Sequence, residues 1–386
     1  MTTTGRKTMG VSSRLITRMQ QRGTRGNIIK SLAELIKNSD DAYDRLDDYR
    51  DKTHGIIEVA YDQIKSNTGR GYSIRGFMIR DFGSGMSYEK VLSSYQSEGN
   101  YGSDESDETR NGAIGVGGKD CFYNLENCFI LTVHDGSLTV VEIFTDPVTG
   151  LGSEVMVGVE TQPIMKWMNE LLVKGGLEPM TLNKNQTIAT FQIPQNHVGI
   201  RADTLISSLR DYYSLRWILE SDIRTVNLTD IFNKNTVTLK HISPESESIF
   251  EKSIIIPHKN IPYDVNVEFF RADNELTHNK ELGYGILIQS KRGAVLDNSM
   301  YKFSQDSAAS RIYGKVVITD WKKMYRNDGT VLTDNREGLD YENNFNKQIQ
   351  TLILTNLTPI IEKERSKQGT NPELNKDLDN NIQKAL

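Results

Sequence analysis

Hydrophobic positions recur at three- and four-residue steps through residues 26–50, where Ile28, Leu32, Leu35, Ile36, Ala42, Tyr43 and Leu46 share one stripe. That period predicts an amphipathic helix with a single buried face. Two runs rich in β-favouring residues follow, 55–61 and 73–80, and turn chemistry ends each, so both read as strands. Residues 97–118 are polar and glycine-rich, a long loop ahead of a helix expected to begin near Gly117. Further strands are expected at 128–133, 138–144, 154–159 and 187–193. Up to Pro194 the pattern therefore reads as a mixed sheet covered by helices. It then resets, with a helix over 202–220 and strands near 225–228, 236–240, 265–271, 285–289 and 315–319. A last amphipathic stretch, 344–361, carries Ile349, Leu352, Leu354, Leu357 and Ile360, and a polar tail follows. The expected division is 1–195, 196–365 and a tail over 366–386.

Composition narrows the class. The chain has 386 residues, 37% of them hydrophobic and 25% charged, enough to bury more than one core. No run approaches the ~18 apolar residues of a membrane span, and the first residues lack the apolar core of a secretory signal. Cys121 and Cys128 are too few for a disulfide scaffold, which favours a cytoplasmic location. The six histidines stand apart, so zinc is not expected. A net charge of −5 argues against a surface coated with nucleic-acid-binding charge. The charge is uneven, however. Arg6, Lys7, Arg14, Arg18, Arg22, Arg25 and Lys30 all precede the first acid, Glu34. Such an arm suits phosphates or an acidic partner, or is simply solvated.

Three segments carry candidate chemistry. Glu34, Asn38 and Asp41 lie at i, i+4 and i+7 of the first helix and so stack on one face. Burying such a row without partners is costly, so it is either a solvated face or a site. The second segment, FMIRDFGSGM over 77–86, places Asp81 just past a strand, followed by Gly83 and Gly85. An acid there can accept from an exocyclic amine, and the glycines allow the backbone to turn closely against a flat ligand. An ordinary strand-end turn would read the same way. The third, GAIGVGGK over 112–119, can converge backbone N–H groups on an anion at a helix N-terminus. Its spacing is neither that of a P-loop nor that of a dinucleotide-binding fingerprint.

In this order and spacing the three segments resemble the GHKL ATPase superfamily of gyrase B, heat-shock-90 chaperones, MutL and MORC proteins and histidine kinases. AELIKNSDDAYD resembles the first box of that family, RDFGSGM the second, and RNGAIGVGGKD the glycine-rich lid box. The resemblance covers about residues 15–195 and lies nearest the heat-shock-90-like and MORC-like members. It implies an α/β (α+β) chain: a Bergerat-type α/β sandwich that binds ATP, then a transducer-like (ribosomal S5-like) α/β domain. It implies that Asn38 holds Mg²⁺, that Glu34 is the general base toward water, and that Asp41 belongs to the nucleotide site. Asp81 would accept from the adenine amine, with Gly83, Gly85 and Met86 lining the base. Gly112, Gly115, Val116, Gly117, Gly118 and Lys119 would wrap the phosphates. Thr187 would support Asp81, although Gln186 stands where the family has glycine. Histidine kinases generally lack an acid at the Glu34 position, so its presence favours the hydrolysing branch. From the second domain, Arg336 in LTDNREGL resembles the catalytic arginine of heat-shock-90 proteins, and Lys291 or Arg292 in ILIQSKRGAV is placed more like the lysine of MutL. The implied activity is slow ATP hydrolysis that drives N-terminal homodimerisation and a clamp on DNA or a protein client. The alternatives are a heat-shock-90-like chaperone and a non-hydrolysing ATP-sensing module.

Overall fold

The structure is a computed structural model that describes residues 7–8, 27–46, 54–65, 72–95, 121–122, 125–146, 150–194, 199–277, 283–291, 295–333 and 338–369. It is a mixed α/β chain with two sheets, and it divides into two compact units, Met1–His241 and Ile242–Leu386.

In the first unit, Asn27 opens helix α1 (Ile28–Asp44) by accepting the Lys30 backbone N–H at 3.2 Å, which satisfies one of the free donors of the first turn. The stripe predicted from sequence is the face that packs: Leu32 and Ile36 are fully buried, and Ile28, Leu35, Ala42 and Tyr43 are buried beside them. The strands are β1 (Lys7–Thr8), β2 (Gly55–Lys65), β3 (Tyr72–Asp81), β4 (Glu126–His134), β5 (Ser137–Asp146), β6 (Gly150–Val157), β7 (Gln186–Gln192), β8 (Arg224–Asp230) and β9 (Asn235–Leu239). They form one sheet in the order β1-β6-β5-β4-β7-β3-β2-β8-β9, antiparallel except where β2 meets β8. Strand alternation gives the sheet two apolar faces. Phe77 and Ile79 of β3, Ile130 of β4 and Phe191 of β7 pack with α1, α2 (Tyr88–Tyr95) and α4 (Ala202–Asp211). Met78, Leu131, Val133 and Ile188 face α3 (Gln162–Lys174) through Met168 and Leu172.

The second unit is a five-stranded sheet of β10 (Ser246–His258), β11 (Ile261–Ala272), β12 (Ile286–Ser290), β13 (Val295–Ser299) and β14 (Ile312–Ile318), in the order β10-β11-β14-β12-β13. Val265, Val267 and Phe269 alternate inward with Ile286, Ile288, Val316 and Ile318. They meet Phe345, Ile349, Ile353, Leu357 and Ile361, a stripe at four-residue steps on the long helix α7 (Asn344–Gly369).

Several expectations are corrected. The first unit runs past the division expected at 195, because β8 pairs with β2 and carries β9 with it into the first sheet. The helix expected over 202–220 breaks at Tyr212, which turns extended (φ −66°, ψ 115°), so α4 is followed by a 3-10 turn and the short α5 (Arg216–Glu220). Helices α2, α3 and α6 (Trp321–Asn327) and strands β1, β10 and β13 were not expected. The loop expected over 97–118 and the helix start near Gly117 lie outside the described residues.

Candidate functional site

The second half of α1 meets the end of β3 through close contacts that the sequence specifies. The Tyr43 hydroxyl donates to the Ile56 carbonyl at 2.5 Å and accepts the Phe82 N–H at 2.9 Å, tying the helix to both strands. Gly83 lies so near the helix that a Cβ there would come within 2.8 Å of Ala42. Gly85 adopts φ +64°, and a Cβ on it would fall 2.0 Å from the Val133 carbonyl. Both positions need glycine for the Asp81–Met86 turn to sit down on α1 and β4.

Asp81 ends β3 with 4% of its surface exposed. Its carboxylate accepts the Gly83 N–H at 3.0 Å and a hydrogen bond from the Ser39 hydroxyl of α1. Burial pushes its carboxyl up to about 7, and those two donors, with Arg45 and Arg80, only partly oppose the rise. Register places Asp81 opposite Thr187 on β7, and Thr187 opposite Thr132 on β4. The two threonine hydroxyls are 3.2 Å apart, and Thr132 Oγ1 accepts the Met86 N–H at 2.8 Å. His134 Nδ1 lies 2.9 Å from the Ser84 carbonyl and holds the far side of the turn. An acid, two hydroxyls and a glycine turn therefore form one cross-strand row beside α1.

The predicted acids and amide on α1 divide by depth. Asp41 is buried at 4% exposure, Glu34 is half-buried and Asn38 is exposed. Glu34 pairs with Lys37 at 2.6 Å, three residues on. Among the described residues the Asn38 side chain has no hydrogen-bond partner. On another face of the helix, Asp40 and Asp44 bind Arg224 of β8 at 2.6 and 2.8 Å, fastening α1 to the incoming strand.

Gln186, read as a departure from the expected glycine, has a partner of its own. It is fully buried, and its Oε1 accepts from Nε and the guanidinium of Arg80 at 3.0 and 2.7 Å. Sequence reasoning missed this pair, together with Ser39, Tyr43 and Thr132 as site residues. An arginine inside a predicted strand core was the one available signal.

Gly112, Gly115, Val116, Gly117, Gly118, Lys119, Arg292 and Arg336 lie outside the described residues. Lys291 is exposed directly after β12 in the second unit. A depression of about 690 Å³ opens along α3 on the other face of the sheet, lined by Met165, Asn169 and Val173 among others, and contains none of the predicted residues. Among the described residues no three metal-ligating side chains cluster, and no helix is long and apolar enough to cross a membrane.

The chain is similar to the B subunit of DNA gyrase from Myxococcus xanthus, at 10% identity over 87% of this chain and 88% of that one, with a TM-score of 0.41. It is also similar to the 43K ATPase domain of Thermus thermophilus gyrase B in complex with an aminocoumarin, at 11% identity over 91% of each chain, with a TM-score of 0.37. No family model and no curated protein matches the chain.

Proposed function

We propose that this chain is a cytoplasmic ATPase of the GHKL type. The observation that supports it best is the row formed by Asp81, Thr187 and Thr132 beside the α1 face bearing Glu34, Asn38 and Asp41. A buried carboxylate with only two short-range donors of its own is suited to a further donor that replaces the lost water, and the exocyclic amine of adenine is such a donor. The glycine turn at 83–86 supplies a flat backbone edge for the base.

Mg²⁺ would offset the charge of the phosphates, and its hard, oxygen-seeking character suits the exposed amide oxygen of Asn38. Glu34 lies one turn earlier on the same helix and has the role of drawing a proton from water. Lys37 holds its carboxylate at 2.6 Å and fixes its rotamer. Lys119 and the glycines at 112, 115, 117 and 118 are assigned to the phosphates, and Arg336, or in its place Lys291, to the charge that develops on the γ-phosphate. Nucleotide-driven homodimerisation and action as a clamp on DNA or a protein client complete the reading.

Phosphate release is the deciding experiment. Glu34→Ala is expected to bind ATP with near wild-type affinity and to lose turnover by about 10²–10⁴-fold, as for other general bases. Turnover that survives within a few-fold removes Glu34 from the base role. Absence of ATP-dependent phosphate release by the wild-type protein removes the hydrolytic reading and leaves ATP sensing.

A further inference from the structure

Arg80 precedes Asp81 on β3, so the two side chains leave opposite faces of the sheet. Arg80 is 1% exposed, which is costly for a guanidinium unless each donor is used. It is used fully. Nε and one terminal nitrogen fork onto Gln186 Oε1, while the other donates to the Glu178 carbonyl at 2.5 Å and lies 3.5 Å from Glu58. Gln186 is held in turn, its Nε2 donating to the Thr181 carbonyl at 2.9 Å and the Lys184 carbonyl at 3.2 Å. The same guanidinium lies 4.4 Å from the centre of the Phe82 ring, and the Lys184 ammonium lies 3.8 Å from it. Phe82 is the residue directly after the adenine-facing acid, and its backbone N–H is already fixed by Tyr43.

We propose that Arg80, Gln186 and Lys184 form a positioning clamp, built on the sheet face away from the nucleotide, that fixes Phe82 and thereby aims the Asp81 carboxylate so that the site selects adenine over a purine lacking the amine. The inference rests on the proposed nucleotide site and adds a specificity determinant to it. Arg80 and Gln186 are 106 residues apart in sequence but neighbours across β3 and β7, so the clamp spans the same two strands that bring Asp81 opposite Thr187. The groups that face Asp81 are Ser39, Tyr43 and Arg45 of α1 and its end and Tyr95 of α2, while Arg80 acts on it electrostatically from the other side of the sheet. Arg80 therefore also favours the ionised carboxylate, the form that accepts from an amine but repels the carbonyl of inosine.

The test compares binding of ATP and inosine triphosphate by calorimetry. Replacing both buried partners by apolar groups of similar shape, Arg80→Met with Gln186→Leu, leaves no orphaned donor, and the carbonyls it releases belong to the exposed residues Glu178, Thr181 and Lys184, so the fold is expected to survive. Wild type is expected to prefer ATP by at least about a hundredfold, as sites built around one hydrogen bond do, and the double variant by about tenfold or less. A merely structural role would weaken both ligands together and keep the ratio. Lys184→Met, at an exposed position, is the second arm, with a fall in the ratio of about two- to fivefold, as expected for one cation–π contact. An unchanged ratio in the double variant overturns the clamp, and if that variant does not fold, an unchanged ratio in Lys184→Met overturns it instead. A wild-type protein that binds neither ligand overturns the nucleotide site itself, whereas one that binds both equally keeps a nucleotide site and overturns adenine selection and the clamp.

Discussion

Asp81 in the first unit and Asp328 in the second are nearly equally sealed, at 4% and 7% exposed, and the protein drives them in opposite directions. Burial raises both. Asp81 has two short-range donors and stays raised, at about 7. Asp328, just after α6 (Trp321–Asn327), is raised by burial too, but it accepts from Thr330, His258, Asn343 and Lys259, and together they hold it well below the usual carboxylate range. The His258 and Lys259 contacts are 2.8 and 3.2 Å, and Asn343 adds one at 3.1 Å. The two differ in partners, and Asp328 also has less of the protein packed around it. A carboxylate that anchors structure is saturated by its own chain, whereas one kept short of donors has capacity for a ligand.

Asp328→Ala should have the largest effect on stability. It strands His258 and three further donors and is expected to cost about 3 kcal/mol. Thermal unfolding should fall on the order of 10 °C, with faster amide exchange along β10 and α6. A loss below about 0.5 kcal/mol, the scale of an ordinary surface substitution, would make Asp328 as under-used as Asp81 and end the contrast.

Asp81→Asn should separate binding from folding. ATP affinity is expected to fall by tenfold or more, about 1–3 kcal/mol, because the amide can present a donor to the adenine amine. Stability without nucleotide should not fall at pH 8. The Asp81 carboxyl is raised in the fold, so its contribution is complete below about pH 4 and is lost as pH rises to about 7. Asn removes that loss, and melting curves from pH 4 to 8 should be flatter in the variant. Asp328 has the opposite sign, its contribution being present at neutral pH and lost as pH falls below about 4. A variant that loses stability at pH 8 would place Asp81 among the structural acids.

Thr187→Val is the smallest change. It removes one hydroxyl from the row and keeps the β-branched shape on β7. ATP affinity should fall two- to fivefold, less than about 1 kcal/mol, with an unchanged melting temperature. No change in affinity would confine the supporting role to Thr132.

Much of this was legible in the sequence, and the failures have a pattern. The stripe from Ile28 to Tyr43 and the Asp81–Gly85 turn are local, written in helical period and turn chemistry. Helix α3 was also legible, with Pro163 in its first turn and Ile164, Trp167, Met168, Leu171 and Leu172 in period. Strand β10 was harder, because at the sheet edge Glu247, Glu251 and Lys252 interrupt its apolar run.

What the sequence determined alone was the face of α1 that carries Glu34, Asn38 and Asp41, and the acid at the end of β3. Both follow from spacings of a few residues that covalent geometry turns into directions. Only the tertiary structure decided that β8 and β9 close the first sheet, that Gln186 answers Arg80, and that Asp81 lies across from Thr187. It also decided how Asp81 and Asp328 differ. Each outcome depends on strand register and on how many donors converge on a buried group. Both are set by pairings between distant segments, which no local pattern of hydrophobic and polar positions encodes.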